Sequence, residues 1–95
     1  MHAAALSVEL HLPEVRSLKE KRAVIKPILE GSRRRFGVAA AEVGKQDLWQ
    51  ACELAFAAVA STAHHVDDVL DSVERFVWSF TEVEVLSCER HWWGP

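Results

Sequence analysis

The fold is constrained most by an apolar periodicity that switches back and forth along the chain. From Ala4 to Leu12 every second residue is apolar (Ala4, Leu6, Val8, Leu10, Leu12), while Ala3, Ala5, Ser7, Glu9 and His11 point the other way. Alternation of this kind marks a strand with one buried face. Pro13 ends it, and the period then lengthens to that of a helix. Leu18, Ile25, Ile28, Leu29, Ser32 and Phe36 share one arc of a helix running to about Arg35. Ser17-Leu18-Lys19-Glu20 opens it as a capping box, in which the Ser17 hydroxyl takes the amide of Glu20 and Glu20 reaches back. Pro27 lies inside this helix, so a kink or an early break is expected there.

Gly37 closes the helix. Val38 to Val43 read as a short strand, Gly44 to Asp47 as a turn or bulge, and Glu53 to Ser61 as a strand with Leu54, Phe56, Ala58 and Ala60 on one face. Ser61 or Thr62 caps a second helix reaching about Phe80, with Val66, Val69, Leu70, Val73, Phe76, Val77 and Phe80 in helical register. Glu82 to roughly Arg90 make a last strand. The order strand, helix, strand, strand, helix, strand predicts an α+β, ferredoxin-like βαββαβ domain. It has a four-stranded antiparallel sheet in the order 4-1-3-2 and two helices on one face. Residues 1–95 are expected to form a single domain.

In that strand order Cys52 and Cys88 lie on strands separated by strand one, roughly 9–10 Å apart. This is too far for a disulfide, and two free thiols are expected. No apolar run is long enough for a membrane helix. The N-terminus lacks the basic region of a signal peptide, so a cytoplasmic protein with no membrane partner is expected.

Two blocks carry a resemblance to a known family: Ser17-Leu18-Lys19-Glu20-Lys21-Arg22, and Ala41-Glu42-Val43-Gly44-Lys45-Gln46-Asp47-Leu48-Trp49-Gln50. With this chain length and element order, the sequence resembles the YlxP-like family of small bacterial proteins of unknown function (domain of unknown function 503) over about residues 3–86. The resemblance implies a ferredoxin-like fold, a cytoplasmic location and no established activity. The genes of such proteins often lie near those for translation initiation and ribosome maturation, which implies association with RNA or the ribosome. Pro27 and Gly31-Ser32 depart from the family's better helix formers. The tail from His91 to Pro95 is not a family feature.

Charge gives the functional lead. Arg16 to Arg35 hold eight of the eleven basic residues and two acids, a local charge of about +6 in a chain of net −3, so the remainder carries about −9. Lys19, Lys21, Arg22, Lys26, Arg33, Arg34 and Arg35 are the candidate residues for an anionic partner. Lys19, Arg22, Lys26 and Arg33 lie within about 60° on one flank of the apolar arc. Either the stripe is open to phosphates, or it is a solvated face partly neutralised by Asp67, Asp68, Asp71 and Glu74 of the second helix. The location of those acids decides between the two.

The open sheet face offers Ser7, Glu9 and His11 on strand one and Ala55, Ala57 and Val59 on strand three. Without aromatics it is unsuited to stacking bases. The apolar part of that face (Ala3, Ala5, Ala55, Ala57, Val59, with Leu86) predicts a homodimer through the sheet, set against a monomer with that face exposed. Glu42, Gln46, Asp47 and Trp49 surround the turn after strand two. Asp47 and Gln46 are expected to bond turn amides, and Leu48 and Trp49 to pack on the sheet edge. Read as an acid–base pair, Glu42 and Asp47 lack any accompanying nucleophile or metal motif. There is no glycine-rich phosphate loop, HExxH or CxxC motif, and the adjacent His64 and His65 point about 100° apart. No catalytic residue, metal, cofactor or small-molecule substrate is expected. Trp78, Trp92 and Trp93 are left to mark an interface or to cover a core edge. The sequence thus yields two leading readings, a non-enzymatic module that binds RNA or the ribosome through its first helix or a homodimeric interaction or regulatory module, and ranks third an enzyme using Glu42 and Asp47.

Overall fold

The computed structural model describes residues 1–93. Its elements are β1 (His2–His11), α1 (Leu18–Phe36), β2 (Ala39–Gly44), β3 (Ala51–Ala60), α2 (Ala63–Trp78) and β4 (Glu84–Trp93). They form one antiparallel sheet in the order β2-β3-β1-β4, the ferredoxin-like arrangement. The alternation in β1 sends Ala4, Leu6, Val8 and Leu10 into the core, where they lie beside Cys52, Leu54 and Phe56 of the paired β3. Ile25 and Ile28 of α1 and Val66, Leu70, Val73 and Val77 of α2 close the same core. No helix of the described residues is long and apolar enough to cross a membrane.

Both helix starts are capped by hydroxyls: Ser17 Oγ accepts from the Glu20 amide and Thr62 Oγ1 from the His65 amide, each at 3.1 Å. Glu20 reaches one residue further back than a capping box requires, accepting from the Arg16 amide at 3.1 Å. Gly37 ends α1 in the left-handed region (φ 66°), its amide donating to the Arg33 carbonyl.

Pro27 does not break α1, which runs unbroken through it from Leu18 to Phe36. The carbonyl that Pro27 leaves without an amide belongs to Ala23, and Ala23 is exposed, so water can satisfy it. Gly31 has a packing role. A Cβ there would lie 2.6 Å from Cζ of Phe76, so the absent side chain lets the Phe76 ring of α2 rest on α1. Phe76 in turn meets Phe36 and Phe80 edge-to-face, at 5.7 and 5.1 Å between centroids.

The last strand runs further than its sequence pattern indicated. His91, Trp92 and Trp93 are part of β4, with Trp92 opposite Ala4 and Trp93 opposite Ala3. Gly94 and Pro95, the end of the expected tail, lie outside the described residues. Leu86 is the extra residue where the β1–β4 register shifts.

Cys52 and Cys88 are both free, opposite Leu10 and Val8 on the two sides of β1. Burial, then the negative charge of Glu42, pushes the Cys52 thiol up to about 12. Burial, then Glu74, also raises that of the half-buried Cys88. The thiolate is the reactive form, so a thiol reagent at pH 8 should modify Cys88 first and reach Cys52 only on unfolding. Equal labelling rates in native protein would contradict the buried placement of Cys52. A raised thiol pKa also has a definite sign for stability. The contribution of Cys52 is intact below its ordinary value of 9.0 and is lost as pH rises from there through about 12.

A basic helix face and the loop it anchors

The seven cations proposed from sequence do not form one surface. Lys21 is turned inward and only 1% exposed. Its Nζ donates to the carbonyls of Lys45 and Leu48, each at 2.7 Å, and pairs with Glu42 Oε2 at 2.8 Å. Two of the ammonium's hydrogens go to the carbonyls, while Glu42 Oε2 faces it as a close counter-charge without hydrogen-bond geometry. Lys21 is therefore withdrawn from the surface stripe. Its wheel position carried the signal: it lies four, seven and eleven residues before Ile25, Ile28 and Ser32, inside the buried arc.

This one side chain joins the two sequence blocks. Lys21 lies in the first, and Glu42, Lys45 and Leu48 lie in the second. Val43 is the extra residue where the β2–β3 register shifts, and Lys45 sits at φ 58°, in the left-handed region that non-glycine residues seldom occupy. The buried ammonium holds this irregular loop from beneath. Gln46 Nε2 donates to the Glu42 carbonyl, and Gln50 Nε2 to those of Pro13 and Val15. Gln46 thus binds a carbonyl where a turn amide was expected, and no Asp47 hydrogen bond to a turn amide occurs among the described residues. Leu48 and Trp49 do not pack down on the sheet edge; they stand 53% and 54% exposed. Glu42 and Asp47 line different cavities, Glu42 beside α1 and Asp47 at the loop tip.

The remaining cations face outward with unequal freedom. Arg33 donates to the Ala40 carbonyl of β2. The Arg35 guanidinium lies over the Phe76 ring, 4.9 Å from its centroid. Lys26 reaches Glu30 at 3.9 Å, an exposed pair one helical turn apart. Such pairs contribute little, roughly 0.3–0.5 kcal/mol. Lys19, Arg22 and Arg34 are exposed and have no side-chain hydrogen bond or ion pair among the described residues.

The acids of α2 are committed elsewhere. Arg90 of β4 contacts Asp67 at 2.6 Å, Asp71 at 2.5 Å and Glu74 at 3.6 Å. Burial opposes the Arg90 charge, yet hydrogen bonds and the charges of Asp71 and Asp67 hold its pKa above the ordinary value. Asp68 pairs with His64 on its own helix. None of these four carboxylates forms an ion pair with a cation of α1 among the described residues, so α2 leaves the outer stripe unneutralised.

The open sheet face has its own pattern. Glu9 pairs with Lys45 at 3.2 Å, and Ser7 donates to Glu53 at 3.1 Å. Toward the other end of the strands, alanines (Ala3, Ala5, Ala39, Ala41, Ala55, Ala57) lie in register beside Val59, 65% exposed, and Trp93, 57% exposed. Trp78 is 60% exposed on α2.

Residues 3–90 match the family model described as a protein of unknown function, DUF503. The chain is also 41% identical over 76 residues to the uncharacterised protein YlxP of Bacillus subtilis (strain 168), a stretch covering 80% of this chain and 83% of that protein. Both sequence blocks fall inside the matched region. By the extent of that match, this chain belongs to the DUF503 family.

Proposed function

We propose that the protein is a non-enzymatic binding module that docks RNA, in the ribosome or free, on the outer face of α1. One observation carries the reading. Among the described residues Lys19, Arg22 and Arg34 are unpaired and Lys26 only weakly paired, while the nearest helix turns Asp67, Asp71 and Glu74 to Arg90 and Asp68 to His64. A cationic stripe left open in a chain of net charge −3 is suited to a polyanion, and the acidic remainder opposes nonspecific wrapping. The centre of the open sheet face carries Ser7, Glu9, Ala55 and Ala57 and no Phe, Tyr or Trp from β1 or β3, with Trp93 only at its edge on β4, which favours the helix over the sheet as the contact surface.

Co-sedimentation with ribosomal subunits and anisotropy with short RNAs across a salt series test the reading. Binding at about 50 mM salt should weaken steeply by about 200 mM, because each phosphate contact releases counterions. Protein that ignores RNA at the lower salt would overturn it.

A specific observation favours a second reading, self-association through the sheet. The alanine-lined face carries small side chains and is edged by exposed Val59 and Trp93, a surface on which another sheet can pack closely. Light scattering at high protein concentration should then give two chains per particle, and Val59→Glu should return one. A wild-type particle of a single chain would exclude this dimer.

A further inference from the structure

The outward cations of α1 also border a concave site. Between α1 and α2 lies a cavity of about 450 Å³, lined by Lys26, Pro27, Arg34 and Arg35 of α1 together with Phe76 and Phe80. This volume falls in the range of about 300–1,000 Å³ typical of sites for small molecules. Its floor follows from Gly31: with no Cβ there, the Phe76 ring rests against α1, and Phe80 stands edge-on to it. Arg35 already covers a face of Phe76, while Phe80 is half-buried and borders the cavity. Glu30 is also in the lining. Its carboxylate opposes an anion, but it is 47% exposed and holds Lys26 only at 3.9 Å.

Cations and apolar ring side chains lining one cavity match a particular ligand chemistry. Duplex RNA presents phosphates with its bases stacked away, so it can use the cations and not the floor. An unpaired nucleotide presents a phosphate and a free ring together, and aromatic or guanidinium planes stack such rings. We propose that this inter-helix groove takes one unpaired nucleotide of a single-stranded RNA, its base against Phe80 and Pro27 and its phosphates on Lys26 and Arg34. The inference rests on the reading of α1 as an RNA-binding face and adds to it a preference for single strands.

The test is anisotropy at about 50 mM salt with a single-stranded RNA of about twelve nucleotides and a blunt duplex of the same length. The single strand should bind more tightly. Phe80→Leu should weaken single-strand binding at least about fivefold and leave duplex binding unchanged, since stacking on one aromatic typically contributes at least that factor. Because Phe80 touches the core, the wild-type protein supplies an independent readout: its Phe80 ring resonances should shift upfield with the single strand and not with the duplex. Equal binding of both RNAs with no Phe80 shift would overturn the groove and leave the α1 reading intact. Failure of both RNAs to bind would remove the α1 reading and the groove with it.

Discussion

Lys21→Met should lower stability by about 3 kcal/mol, although Lys21 belongs to the most basic segment of the chain. The substitution preserves length and apolar volume, so the loss isolates the ammonium. The carbonyls of Lys45 and Leu48 are left without their donor, and Glu42, only 17% exposed, is left without its counter-ion. Removing one partner of a buried pair typically costs about 3–5 kcal/mol, and the residual exposure of Glu42 favours the lower end. In a domain of this size that corresponds to a fall of roughly 12–24 °C in melting temperature. Thermal and urea unfolding measure it. Adding Glu42→Leu should restore part of the loss by deleting the stranded charge, giving a coupling energy between the two sites. A loss below about 1 kcal/mol would mean that the β2–β3 loop is held by something other than this cation.

The four-residue variant Lys19→Gln, Arg22→Gln, Lys26→Gln and Arg34→Gln should have the opposite profile, with an unchanged fold and weakened binding. These side chains are exposed and none is tied to another element among the described residues, so unfolding should shift little. RNA affinity at about 50 mM salt should fall roughly tenfold or more. The slope of log affinity against log salt should flatten by about 3 for a single strand, near 0.7 for each of four phosphates no longer neutralised. Binding with an unaltered slope would place the RNA on some other surface. Paired with Lys21→Met, the variant separates the cation that builds the protein from those that face solvent.

The comparison of Lys21 with its neighbours shows how far composition can mislead. Lys19, Lys21 and Arg22 are nearly adjacent and equally basic, yet only Lys21 is buried. Helical phase put it on the core arc, but a lysine there is ordinarily unfavourable. Its burial is tolerated because Glu42 and two loop carbonyls, 21 to 27 residues onward, meet it. Pro27 makes a related point. The missing hydrogen bond was evident in the sequence, but the exposure of Ala23 that makes its absence tolerable was not. The longer β4 was legible in outline, since His91, Trp92 and Trp93 continue the strand, but only pairing with Ala3 and Ala4 fixes its extent.

Period and capping, both local quantities, determined the elements: an alternating strand, a hydroxyl-capped helix and their repetition, which together leave few alternatives to a four-stranded sheet with two helices on one side. The sequence also determined that positive charge would concentrate on one helix. The tertiary structure decided which of those charges remain available. Arg90 is in the last strand and Asp67, Asp71 and Glu74 are in α2, and they meet because β4 pairs with β1 at the sheet edge within reach of α2. Coulomb attraction acts over distance in space and is indifferent to separation along the chain. Whether a cation is neutralised is therefore settled only when the chain has folded.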